Sequence, residues 1–149
     1  MSESDAGQAG EQRLGTSSTT RPGGVALAVF RWGLLVFLAA GVVQIFLAGL
    51  GTFRLLHGAG DSALDPHRTL GFAMAGMAMI LLILALVARP GARAIVGLVL
   101  LVLLTSFVQS LLASLADHHV VYGALHATDG LLILAIPTYL YFWSGRQTA

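Results

Sequence analysis

Four long runs without charge dominate the chain. Trp32 to Phe53 carries none between Arg31 and Arg54, Thr69 to Ala88 is a second such run, and Ala94 to Ala116 a third. The fourth, Val120 to Trp143, is equally long but contains His126 and Asp129. Each exceeds or approaches the ~20 apolar residues that cross a bilayer as a helix. The pattern predicts an all-α integral membrane four-helix bundle, with spans near 30–53, 67–88, 94–116 and 119–143. Residues 1–24 are rich in Ser, Thr, Gly and Gln without an apolar period, so a disordered tail is expected there. The run after it is longer than a signal-peptide h-region of about 7–15 residues, so no leader is expected.

The polar positions inside these runs recur. His67-Arg68-Thr69-Leu70-Gly71 opens the second run, and His126-Ala127-Thr128-Asp129-Gly130 recurs in the fourth. Both read His-x-Thr-x-Gly. Each follows an apolar run bearing a glutamine: Val43-Gln44-Ile45-Phe46 before the first, Val108-Gln109-Ser110-Leu111 before the second. The bundle is thus expected to be two repeated helical hairpins. Helices one and three would run one way and two and four the other, so the hairpins can be related about the membrane normal.

Composition sharpens this picture. The chain is 56% hydrophobic and 10% charged, whereas water-soluble domains carry roughly 25% charged residues, so lipid is the expected solvent and first partner. A net charge of +1 gives no reason to expect nucleic acid. The absence of cysteine excludes disulfides, thiolate metal sites and thiol catalysis. Arg13, Arg21, Arg31, Arg89, Arg93 and Arg146 flank one side of the spans, and only Arg54 and Arg68 the other. The positive-inside rule then puts both termini in the cytoplasm of a multi-pass plasma-membrane protein. Trp32, Tyr139, Tyr141, Phe142 and Trp143 would form the inner aromatic belt. The small residues Gly71, Ala73, Ala75, Gly76 and Ala78 suit close helix contact, and Pro137 predicts a mild kink in helix four.

All five histidines fall on the outer side. His67 lies 22 residues before Arg89 and His126 lies 20 before Arg146. At 1.5 Å per residue both imidazoles stand about 30–33 Å above the basic edge, hence at one level. Leu64-Asp65-Pro66-His67 resembles a helix start, with Asp65 as N-cap and Pro66 at the first helical position. Each histidine has a glycine four residues on, Gly71 and Gly130, on the same helix face. A flat macrocycle against a helix needs bare backbone beside its axial ligand. Neutral imidazole suits iron, and haem takes two axial side chains. His67 and His126 are therefore candidate ligands of a haem b. The competing explanation is two interfacial polar residues without a ligand. Thr69 and Thr128 point away from the histidines and are expected either to bond carbonyls of their own helices or to contact another helix.

Gln44 and Gln109 also match in depth. They are either interhelical glue, worth ~0.6 kcal/mol on average, or hydrogen-bond partners that fix the tautomer of a ligating imidazole. Arg54 and Arg68 are placed to pair with haem propionates through their planar forks, or are ordinary surface arginines. His57, His118 and His119 with Asp61, Asp65 and Asp117 could gather a divalent metal, but their spacing matches no helical histidine pair. A charged Asp129 would cost roughly 2.5–3.5 kcal/mol at a helix centre, so it should lie near the surface, be protonated or have a partner. No G-x-S-x-G, P-loop or G-x-G-x-x-G occurs.

The glutamine run Val43 to Leu50 with His67-Arg68-Thr69-Leu70-Gly71, and Val108 to Leu112 with Leu125-His126, resemble one four-helix half of the haem A synthase family. The chain also looks like a group of small four-helix bacterial membrane proteins for which resemblance supplies no function. The synthase likeness covers about residues 42–136. It implies a haem held by histidines from the second and fourth helices, His67 and His126. The synthase has two such halves and an acidic residue in its outer loops; here no glutamate lies there, and Asp61 and Asp65 are the nearest substitutes. Hydroxylating a substrate haem beside a cofactor haem would need a second site. The expectation is therefore a b-type cytochrome-like protein that binds haem or moves electrons, without synthase activity and with no catalytic residue. A second copy of the chain or a membrane redox partner is the protein partner this implies. The alternatives are a non-catalytic membrane subunit or assembly factor without cofactor, and a proton relay through His126 and Asp129.

Overall fold

The structure, a computed structural model, describes residues 22–146. Four helices account for nearly all of them. α1 is Pro22–Leu56, α2 is Asp65–Ala88, α3 is Ala92–Ala116 and α4 is Val120–Gly145. Each is long and apolar enough to cross a membrane, and the chain is an all-α four-helix membrane bundle. Residues 1–21 of the expected tail lie outside the described residues; its last three are already helical, with Pro22 opening α1. Proline is pre-set for the first helical turn and loses no needed N–H there.

Helices adjacent in sequence pack together, and α4 closes the ring against α1. The diagonals stay apart: among the described residues no Cα pair of α1 and α3, or of α2 and α4, lies within 8 Å. Each helix turns one stripe inward. In α2 it runs through Met74, Ala78, Leu81 and Ala85, and in α4 through Asp129, Ile133, Pro137, Leu140 and Ser144. Steps of three and four residues keep such a stripe on one face of a helix. The opposite faces carry exposed Phe46, Phe53, Phe72, Phe107 and Leu131, which only lipid can cover favourably.

The close-packed core is confined to the arginine-bearing end. Phe30, Leu34 and Phe37 of α1 meet Ala78, Leu81, Ala85, Leu98, Leu101 and Leu140 there. Towards the other end, α1 beyond Phe37 buries only Gly41 and Gly51, and α3 beyond Val102 buries nothing. The aromatic belt is partial. Trp32, Tyr139 and Phe142 face outward, but Tyr141 is half-buried under the Arg31 guanidinium, 4.9 Å from its ring centroid. The turn from α2 to α3 places Arg89 at φ 49° and Gly91 at φ 117°. A β-carbon on Gly91 would stand 3.3 Å from the Trp143 ring.

Two details of the helix starts differ from expectation. Asp65 is the first residue of α2, not its cap, and Leu64 holds the cap position without a side-chain hydrogen bond. A short 3-10 turn, Asp61–Leu64, runs straight into the helix. The Asp65 carboxylate instead accepts from Arg68 at 3.1 Å. In α3 the α-helical pattern is broken at Leu104–Val108 by a π-helical turn, where Thr105 Oγ1 donates to the carbonyl of Leu101 at 2.8 Å.

The 3-10 turn sits on α1 through a glycine. A β-carbon on Gly51 would come within 2.5 Å of Leu64 Cδ2 and 3.0 Å of the Ala63 carbonyl oxygen. The leucine tip can rotate aside, but the backbone oxygen cannot. Gly51→Val is expected to destabilise the bundle by about 1–3 kcal/mol through overpacking. Gly49→Val, whose β-carbon would meet nothing within 4 Å, is expected to be close to neutral. Thermal unfolding of both in detergent checks this; equal shifts would remove the steric explanation.

Candidate functional site

The histidine half of the bundle is built from two equivalent clasps. In the first, Gln44 of α1 extends its amide Nε2 to the backbone carbonyl of His67 on α2 at 2.8 Å. In return, His67 Nδ1 stands 3.2 Å from the backbone carbonyl of Gln44. The second clasp repeats this between α3 and α4: Gln109 Nε2 donates to the His126 carbonyl at 3.1 Å, and His126 Nδ1 lies 3.2 Å from the Gln109 carbonyl. A carbonyl oxygen only accepts, so each Nδ1 must carry the proton. Each imidazole is thereby held as the tautomer whose Nε2 has a free lone pair. Among the described residues no hydrogen bond reaches either Nε2.

The glutamines therefore fix the tautomer, as one expectation had it, but through their backbone carbonyls. Their amides instead tie down the histidine backbone. Both Gln44 Oε1 and Gln109 Oε1 are buried without a partner among the described residues. Both glycines also lie beside the glutamine amides. A β-carbon on Gly71 would lie 3.1 Å from Gln44 Nε2, a tight approach that the bare backbone relieves, whereas one on Gly130 would stand 3.6 Å from Gln109 Nε2, an ordinary contact.

His67 and His126 meet across the α2–α4 diagonal, where the backbones stay apart. Their ring centroids are 6.1 Å apart with the planes at 64°. Metal–imidazole bonds of about 2.0–2.1 Å, plus roughly 1 Å from nitrogen to ring centre, put the centroids of a collinear bis-imidazole pair about 6 Å apart. The 6.1 Å separation matches that of two imidazoles sharing one metal, and neutral imidazole is a donor that iron accepts. The clasp residues Gln44, His67, Gln109 and His126 are only half-buried, in contrast to the filled arginine end.

The remaining candidates separate. Arg68 is exposed and engaged with its own loop: Nη1 donates to Asp65 Oδ1 at 3.1 Å and to the Asp61 carbonyl at 3.2 Å. Arg54 lies exposed in the last turn of α1, and its backbone carbonyl accepts from Ala59. Among the described residues no group of three or more His, Asp or Glu side chains could hold a metal. His57 Nδ1 stays on the Phe53 carbonyl at 2.8 Å. Thr128 donates to the carbonyl of Ala124 on its own helix, one of the two arrangements expected of it.

The sequence offers Asp129 the membrane surface, protonation or a partner, and a proton relay would couple it to His126. Asp129 is 5% exposed, one turn from His126 on the inner stripe of α4, and its Oδ2 has no hydrogen-bond partner among the described residues. Below it the stripe continues as Ile133, Pro137 and Leu140 before Ser144, which offers no polar path to the arginine end. The π-helical turn next to Gln109 was missed; its only trace in the sequence is the Thr105-Ser106 pair in an otherwise apolar run.

Residues 44–116 match the model of a family of unknown function, DUF6220. The matched segment begins at Gln44 and takes in His67, Gly71 and Gln109, ending before α4. No curated protein and no solved structure matches the chain.

Proposed function

We propose that the chain is a small b-type cytochrome-like membrane protein that binds one haem b between His67 and His126 and passes electrons at that end of the bundle. The observation that carries this is the 6.1 Å approach of two imidazoles whose Nδ1 atoms are both committed to backbone carbonyls. Ligating histidines ordinarily place their second nitrogen on a carbonyl or carboxylate, which fixes the ring and raises its basicity. The likeness to half of a haem A synthase points the same way. Bound haem would supply a one-electron couple.

The chain's own part is to hold the ligands and set their surroundings. The two clasps join α1 to α2 and α3 to α4, so each ring is fixed from a neighbouring helix. The lipid-facing walls keep bulk water off the site. Arg54 lacks the loop contacts that engage Arg68, and Arg68 adjoins His67 directly in sequence; a propionate carboxylate would be met by one of these two guanidinium groups. Asp129 adds a buried carboxyl one turn below His126. With Arg31, Arg89, Arg93 and Arg146 all at the opposite end, the positive-inside rule puts both termini in the cytoplasm and the histidines near the outer face of the plasma membrane. The electron partner would then be a membrane redox protein or a second copy of this chain.

A second reading, a cofactor-free subunit or assembly factor, draws on the way the glutamine amides already cover Gly71 and Gly130. One experiment separates the two. Detergent-extracted protein, supplied with haem, is expected to show a Soret band and sharpened α and β bands on dithionite reduction. His67→Leu and His126→Leu should each abolish the low-spin spectrum and lower haem retention beyond the roughly 100-fold typical of outer-partner losses. A wild-type spectrum without a Soret band would leave the cofactor-free subunit standing, and a spectrum unchanged in both variants would overturn His67 and His126 as the ligands.

The glutamines yield a different expectation. Gln44→Leu and Gln109→Leu remove the amide but keep the backbone carbonyl that holds Nδ1. Each should retain the haem spectrum while losing about 0.6 kcal/mol, and at most about 1.7, in thermal unfolding. Loss of the spectrum in either would mean that the amide, not the carbonyl, governs the ligand.

A further inference from the structure

A second feature lies at the far end of the bundle from the histidines. On the lipid-facing side of the α3–α4 seam, outside the packed core, lies an open groove of about 700 Å3. It begins at Arg93, passes Gly97 and Ala135, and ends between Leu104 and Leu132. Its floor is where α4 packs closely on α3: a β-carbon on Gly97 would stand 3.3 Å from Leu140 and 3.6 Å from Ile136. Eleven residues separate Arg93 from Leu104, 104 minus 93, so the groove runs about 16 Å along the helix. That is close to half of the ~30 Å hydrocarbon core, the depth of one leaflet. Arg93 and Tyr139 are the two residues with polar side chains among those that line it, and the rest are apolar.

The charge around the mouth is one-sided. Arg31, Arg89, Arg93 and Arg146 share this end, whereas the four carboxylates among the described residues, Asp61, Asp65, Asp117 and Asp129, all lie in the other half. Arg31 is turned onto Tyr141. Arg93 stands on the groove itself, facing no side-chain anion among the described residues.

We propose that this groove is a binding site for an anionic phospholipid of the leaflet at the arginine end. One acyl chain lies along Gly97 and Ala135, and the phosphate rests on Arg93. A cation at the water boundary above an apolar channel one leaflet deep matches a lipid at both of its ends. The site is independent of the haem proposal, because no residue is shared with the histidine half.

The full chain, reconstituted in nanodiscs of phosphatidylcholine and phosphatidylglycerol in equimolar mixture and released for native mass spectrometry, is expected to retain one phosphatidylglycerol. Arg93→Gln should weaken that retention about fivefold, the effect of one basic residue near an anionic surface. Ala135→Leu, a change on the open wall that fills the groove, should prevent it. Arg146→Gln, at the same end but off the groove, should change it little. Equal retention of both lipids, or equal loss in Arg146→Gln and Arg93→Gln, would overturn the site in favour of general surface charge. A second copy of the chain or a co-purified isoprenoid quinone in its place would overturn it as well.

Discussion

A polar side chain inside a bilayer has almost nothing to bond to except the second lone pair of a helix carbonyl. This constraint organises the whole bundle. Thr105, Ser114, Thr128, Thr138 and Ser144 all donate to carbonyls three or four residues back on their own helices. Their side chains are too short to reach further. Glutamine and histidine are longer, and they cross to the neighbouring helix. The same chemical need therefore produces harmless local bonds from hydroxyls and interhelical clasps from Gln44, His67, Gln109 and His126. The clasps occur twice because the sequence unit occurs twice, and the two imidazoles so held approach to 6.1 Å across one diagonal.

Much of this was legible before any coordinates. The four spans follow from charge-free runs because burial of charge in lipid is so costly. Equal depth for His67 and His126 follows from counting residues to the arginines, since helix rise is constant. What was not legible depended on direction. A sequence shows that Gln44 and His67 lie near one level, but not which atom of each faces the other. The expected amide-to-imidazole bond is in fact a reciprocal exchange with backbone carbonyls. Spacing likewise marks Gly71 as open backbone, without revealing that the Gln44 amide closes over it. Asp65 failed as an N-cap because the 3-10 turn before it already supplies a helical entry and Arg68 attracts its carboxylate.

The repeat is also less regular than its motif suggests. Gln44 and His67 are 23 residues apart, but Gln109 and His126 only 17. The first connection holds the extra length in its 3-10 turn, fixed to α1 by contact at Gly51. The second is a tight link from Ala116 to Val120, and the π-helical turn is confined to the α3 side. One extra residue in a helical turn rotates everything beyond it. In a hairpin with a shorter loop, such a rotation offers a means of bringing Gln109 onto the carbonyl of His126 despite the different connection.

The division of the bundle into a filled end and a loosely filled end fits the same logic. Phe30, Phe37, Leu81, Leu98 and Leu140 interlock where nothing polar needs accommodating. Between helices in lipid there is no hydrophobic drive to close a gap, only packing and hydrogen bonds. Around the histidines those hydrogen bonds run along the ring of neighbouring helices and not across it. The diagonal can therefore stay wide without any bond being lost. Adding large apolar side chains there would gain packing, but would displace the imidazoles from each other. His67 and His126 keep their half-buried surroundings and their 6.1 Å approach across the diagonal because each ring is held from its neighbouring helix and not by the other ring.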